Sequence, residues 1–199
     1  MGAIDPKESF VVRKKLVDWV EQQVPEGVRA IADSLTKALK DGGTVFACGN
    51  GGSASQAEHF IAELAGRFKM ERKALSALAL STNTSTVTAV SNDYGFSQLF
   101  ARQLDGVAKK GDCLVALSTS GTSENVVNAC RAGRKIGMKL FALTGDYAGS
   151  IAGESDIALM VPDKDAARIQ EIHLIALHLI CQMVEEDMFS SSTTRSQNV

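Results

Sequence analysis

Residues 44–67 read TVFACGNGGSASQAEHFIAELAGR, and this stretch narrows the possible folds more than any other. The run 44–48 is short and apolar, with β-branched and aromatic residues, and Gly49, Asn50, Gly51 and Gly52 cut it off at once. That pattern predicts a buried parallel strand ending in a turn. A helix follows: Ser53 and Gln56 have the spacing of a capping box, and the glycines leave bare backbone N–H groups at the helix start. Orphan amides and the positive end of the helix dipole make an anion site, with phosphate the usual occupant and no lysine required.

The same helix carries His59 and Glu63, four apart and so stacked on one face, about 6 Å apart along the axis. Spacing alone leaves two readings open. One is a surface pair worth roughly 0.2–0.5 kcal/mol, the other a reactive pair beside a phosphate site.

The arrangement recurs downstream. Residues 112–117, DCLVAL, read as a second buried strand that runs into Ser118, Thr119, Ser120, Gly121, Thr122 and Ser123, and a helix is predicted over 124–135. Five hydroxyl side chains in six positions at a strand's carboxyl end exceed the needs of one N-cap and suit the encirclement of a phosphate. Further strands are predicted at 77–80, 139–144 and 157–161, the last stopped by Pro162. Helices are predicted at 10–23, 28–39, 96–104 and 166–186, with another from the hydroxyl-rich loop 81–85 to about Val90, ended by Asn92, Asp93, Tyr94 and Gly95. Strands alternating with helices give a doubly wound parallel sheet, whose ligands sit beyond the carboxyl ends of the strands. Both glycine and hydroxyl loops lie there. The first helix, with Trp19 and several valines, fits packing against its own sheet or against another subunit equally well.

The last helix places Gln170, His173 and His178 among aliphatic residues. For a lone histidine in such a stripe, a hydrogen-bonded core residue is the bland reading. Gln170 and His178 are eight apart, about 12 Å along a straight helix, so one ion cannot easily take both from one chain. If both serve one centre, two chains contribute or the helix is distorted.

Size and composition set the frame. The 199 residues, 45% hydrophobic, suffice for one α/β domain at 10–188; residues 1–9 are expected to be tag-like or disordered and 189–199 to be a disordered tail. A net charge of -2 with no dense basic run argues against nucleic acid, and no apolar run is long enough for a membrane span. Cys48, Cys113, Cys130 and Cys181 sit in apolar runs and read as buried thiols of a reducing compartment, which with no signal-peptide pattern suggests the cytoplasm.

GNGGS ending at Ser53, HFIAE from His59 to Glu63, NDYG at 92–95, STSGTS at 118–123 and RIQEIHLIALH at 168–178 together resemble the sedoheptulose 7-phosphate (phosphoheptose) isomerases, over roughly residues 11–186. The resemblance implies the sugar isomerase (SIS) fold, a flavodoxin-like five-stranded parallel sheet flanked by helices, with N-terminal helices for oligomerisation. It implies a homotetramer with active sites between subunits, and conversion of sedoheptulose 7-phosphate into D-glycero-D-manno-heptose 7-phosphate, the first step toward ADP- or GDP-activated heptoses of surface polysaccharide. Carried over by motif, His59, Glu63, Gln170 and His178 would bind one Zn2+ per subunit, and Glu63 and His178 would be the acid/base pair. Asn50, Gly51, Gly52, Ser53, Ser118, Thr119, Ser120 and Ser123 would hold the phosphate end. Arg67, Asn92, Asp93 and Gln170 would line the sugar.

Two departures from the family pattern stand out. Residues 71–76, ERKALS, lack the prolines often found there, and Ala167 occupies a position acidic or proline in some relatives, with Asp165 nearby. The rival from another class is a non-catalytic tetramer resembling the replication-initiator-associating relatives, which lack the full acid/base set. A sugar-phosphate-sensing regulator would need an attached DNA-binding segment, and none is visible.

Overall fold

A computed structural model describes residues 5–146 and 149–190. Two helices come first, α1 (Pro6–Gln23) and α2 (Pro25–Lys40), followed by β1 (Val45–Cys48), α3 (Gly52–Ala65), β2 (Ala77–Ala79) and α4 (Thr84–Tyr94). A 3-10 turn (Phe96–Gln98) leads into α5 (Leu99–Val107); then come β3 (Cys113–Ser118), α6 (Glu124–Ile136), β4 (Lys139–Gly145), α7 (Ser150–Glu154), β5 (Ile157–Val161) and α8 (Ala166–Phe189). All strand pairs are parallel, as the alternation of runs implied, and the order is β2-β1-β3-β4-β5, the flavodoxin-like arrangement that the family resemblance implied. The short α7 had no periodic signal.

A parallel sheet needs cover on both faces, and the strand sequences show it. Successive side chains alternate faces, so Val45, Ala47, Cys113, Val115, Leu117, Phe141 and Leu143 join the core under α2, α3 and α8. Phe46, Cys48, Leu114, Ala116, Leu140 and Ala142 join a second core under α5 and α6. All four cysteines are buried and free. No helix among the described residues is long and apolar enough to cross a membrane.

The helix ends differ from expectation where backbone chemistry overrides periodicity. α1 starts at Pro6, inside the stretch 1–9 expected to lie outside the fold, because proline suits the first helical position and the Asp5 side chain accepts from Lys7 N. α8 reaches Phe189, while the tag-like residues 1–4 and the tail 191–199 lie outside the described residues. α4 runs through Asn92, Asp93 and Tyr94 and stops only at Gly95, whose φ of 86° a side chain would strain. Of α1, Leu16 and Val20 enter the chain's own core, whereas Phe10, Val11, Val12 and Val17 remain exposed. The connection at 66–76 is pinned by a 2.8 Å ion pair between Arg72 and Glu185, both side chains 1% exposed. His173 is a core histidine, its Nε2 3.3 Å from the Thr144 carbonyl.

Candidate active site

The two loops predicted to take an anion lie side by side at the carboxyl ends of β1 and β3, which are neighbours in the sheet. Gly49 packs so tightly on the first turn of α3 that a Cβ would stand 2.8 Å from the Ser53 backbone, and Gly51 has a φ of 54°. That conformation makes Gly51 the N-cap, without a side-chain cap bond, and it moves the helix start ahead of Ser53. The expected capping box therefore does not form: Ser53 is a buried first-turn residue, and Gln56 instead donates Nε2 to the Gln170 carbonyl on α8 at 2.6 Å.

In the second loop the Ser118 hydroxyl lies 3.0 Å from that of Ser123 and 3.4 Å from that of Ser120. Ser120 Oγ accepts from the Thr122 backbone and hydroxyl, and the Thr119 carbonyl accepts from Gly145 N. Ser123 precedes α6 without capping it through its side chain, so its hydroxyl turns into the loop. Gly121, with a φ of 66°, brings the turn within 2.8 Å of Thr144 Oγ1, measured from where a Cβ would be. Asn50 and Asn125 join the loops: each amide donates to the other's oxygen at 2.8 Å. Asn50 is thereby committed to positioning, while Asn125, which sequence reasoning missed, is buried as its partner. A cavity of about 290 Å³ opens here, lined by Asn50, Phe96, Ser97, Ser123, Glu124 and Asn125.

Further along α3 the reactive residues gather. α3 and α8 lie side by side, and His59 Nε2 meets His178 Nε2 at 2.9 Å while Glu63 Oε1 stands 3.4 Å from His59 Nε2. Phe68 stacks on the His178 ring, centroids 5.5 Å apart and 27° between planes. Nothing in the periodicity singled out Phe68. Burial pushes the His178 pKa down, the nearby His59 adds to this, and Glu63 opposes it. His178 is thus held toward its neutral form, able to accept or relay a proton.

Gln170 is elsewhere. Its amide packs on Gly52, where a Cβ would sit 2.7 Å from both Nε2 and Oε1, eight residues of helix before His178. One chain unites His59, Glu63 and His178 but leaves Gln170 with the glycine loop. Arg67 is exposed, 3.8 Å from Glu71, and Asn92 and Asp93 bond to each other in the exposed last turn of α4. Asp165, offered near Ala167, is the α8 N-cap, accepting from Arg168 N.

Among the described residues no three His, Cys, Asp or Glu side chains already converge as a metal centre. His59, Glu63 and His178 do form a chain of contacts, and two imidazoles with one carboxylate are a donor set that suits zinc. The same groups are a general acid/base set. A cavity of about 500 Å³ on α2 and α8 is lined by Arg29, Asp33 and Asp187, which are paired with one another, and by none of these residues.

The SIS domain family profile matches residues 11–145. The chain is 43% identical over 179 residues to a phosphoheptose isomerase of Helicobacter pylori (strain Shi470), covering 90% of this chain and 93% of that protein. It is 45% identical over 183 residues to that of Syntrophotalea carbinolica, covering 92% and 93%. Its structure is similar to phosphoheptose isomerases of Francisella tularensis (TM-score 0.87, 36% identity) and Neisseria gonorrhoeae (0.85, 38%), each match covering 90% of this chain and 96% of the other.

Proposed function

The chain belongs to the SIS domain family and, within it, to the phosphoheptose isomerases; it is a sugar phosphate isomerase, and we propose that its substrate is sedoheptulose 7-phosphate and its product D-glycero-D-manno-heptose 7-phosphate. The observation that carries this reading is the run of contacts from Glu63 through His59 to His178, beside two loops built for an anion.

Moving a carbonyl from C2 to C1 requires a base to take a proton from C1 and return it at C2, and a second group to move protons on the two oxygens of the enediol between. Glu63 fits the carbon-bound proton: its Oε2 makes no hydrogen bond among the described residues, and only Oε1 leans toward His59. His178, held toward neutrality, fits the oxygens. Such positioned proton transfer is worth roughly 10²- to 10⁴-fold. The phosphate is held by first-turn amides of α3 and α6 and the hydroxyls of Ser118, Ser120 and Ser123. Gly52 and His59 are separated by about 10 Å of helix, the order of an extended seven-carbon phosphate ester.

His59, Glu63 and His178 are the residues of this chain that would hold zinc, and Gln170 would join them through a second subunit. When bound, zinc supplies Lewis-acid polarisation of the sugar oxygens. Glu63 keeps one oxygen for the proton. A homotetramer with sites between subunits is supported by exposed Phe10, Val11, Val12 and Val17, by Arg67, whose ion-pair partner is Glu71, and by Asn92 and Asp93, which among the described residues bond to each other. In this reading the enzyme works in the cytoplasm and feeds ADP- or GDP-heptose synthesis. No observation favours the replication-initiator alternative.

The test is incubation with sedoheptulose 7-phosphate. Appearance of an aldoheptose phosphate is expected, and its absence from folded, zinc-supplemented protein would overturn the reading.

A further inference from the structure

Glu185 is a carboxylate with 1% of its surface exposed, on the apolar side of α8, two turns beyond His178. A charge there is costly unless fully engaged, and this one is. Oε1 accepts from Phe68 N and Arg72 Nε at 2.8 Å each; Oε2 accepts from Lys69 N at 2.8 Å and Met70 N at 3.1 Å. The bonds to the ionised form outweigh burial and hold the pKa below the ordinary carboxylate value.

Arg72 spends its remaining donors on three carbonyls at the carboxyl end of α3, where helix geometry leaves them without an intrahelical partner, and on that of Lys73. Nη2 donates to Glu63 O at 2.7 Å; Nη1 donates to Leu64 O at 2.8 Å, Gly66 O at 3.1 Å and Lys73 O at 3.0 Å. One ion pair thus grips the backbone of Glu63 directly, and through Phe68 N it fixes the ring that stacks on His178. The two residues given proton-transfer roles above are tied to one buried contact that touches neither of their reactive atoms.

We propose that the Arg72–Glu185 pair is a positioning device for the isomerase reaction, setting Glu63 and the His178 ring relative to one another rather than merely holding the chain together; this rests on the isomerase reading. The planar fork of arginine is required, because a lysine could answer Glu185 but could not reach four carbonyls at once. An error of about 1 Å between reacting groups can cost on the order of 100-fold in rate.

The experiment compares the parent oligomer with Arg72→Lys and with the charge-free double variant Arg72→Gln/Glu185→Gln, which leaves no buried ion unpaired should the single variant fail to fold. Two readouts are taken on whichever variant is folded at 25 °C. Steady-state kinetics should show kcat lowered roughly 10- to 100-fold with KM, set at the phosphate end, near the parent value. Proton spectra, in which there are only three imidazoles to resolve, should show the His178 ring resonances shifted as the Phe68 stacking loosens. A folded variant with parental kcat and unmoved His178 resonances overturns the proposal, as does a kcat loss that only tracks the folded fraction. If the parent itself does not isomerise the heptulose phosphate, the function reading fails, and the resonances alone still decide whether the pair sets the ring.

Discussion

His59 and His178 approach Nε2 to Nε2 at 2.9 Å, a distance at which the two nitrogens share one proton or one ion and cannot each carry a hydrogen between them. A contact of this kind between helices 119 residues apart in the chain has little use in packing, since both rings are partly exposed. The chemistry it supports sets the first expectations.

Glu63→Gln and His178→Asn should each reduce isomerase turnover by roughly 10²- to 10⁴-fold, because each removes one of the two groups proposed to transfer protons. Glu63 is 21% exposed in its side chain and accepts no backbone bond among the described residues, so the parental circular dichroism and gel-filtration elution should persist. Full turnover by either variant contradicts the roles assigned.

Protein purified without chelator should carry about one zinc per chain, and His59→Ala should lower that content. Chelation should depress activity and zinc should restore it. A fully active, metal-free preparation would remove zinc from the site and leave the acid/base pair standing.

Acid should destabilise the protein through His173. Burial lowers its pKa from 6.5 to about 4, opposed by the bond to the Thr144 carbonyl, so the unfolded state binds more protons in between. The stabilisation is present in full above pH 6.5 and is lost as pH falls toward 4, by about 3 kcal/mol at pH 4. Urea titrations at pH 7.5 and 4.5 should show a smaller fall in stability for His173→Asn than for the parent. Equal falls would mean that His173 does not carry the effect.

Gly52→Ala tests the seat of Gln170. The new Cβ would stand 2.7 Å from the Gln170 amide, which is the free end of a flexible side chain and can swing away. The fold should lose less than about 1 kcal/mol, alanine being a better helix former than glycine, while the displaced amide costs activity. A variant with parental kcat and KM shows that Gln170 need not lie where it does.

Much of the architecture was legible in the sequence. Runs such as 44–48 and 112–117 announce buried parallel strands because each is apolar on both faces and stops at glycine or serine, and the spacing of His59 and Glu63 fixes their common helix face. The capping box at Ser53 and Gln56 failed because the positive φ of Gly51 starts the helix earlier and puts Ser53 inside its first turn, while Gln56 is turned to the Gln170 carbonyl, neither of which local pattern can weigh. Asn125 and Phe68 were invisible for a related reason: each acquires its role only from a partner far away in the chain. Glu185 left a trace that could have been read, an acidic residue four beyond Cys181 and eight beyond Leu177 on the apolar stripe.

The partnership of α3 with α8 also has a bearing on timing. During synthesis, at about 5–20 residues per second, both anion loops are translated well before His178 leaves the ribosome. Until α8 docks, the first loop lacks the Gln170 contacts to Gln56 and Gly52, and the core beneath β1, β3 and β4 lacks Ile169, Ile172, Leu177 and Ile180. A chain cut short of α8 should therefore lose its packed core together with His178, and binding and turnover should disappear together rather than in sequence.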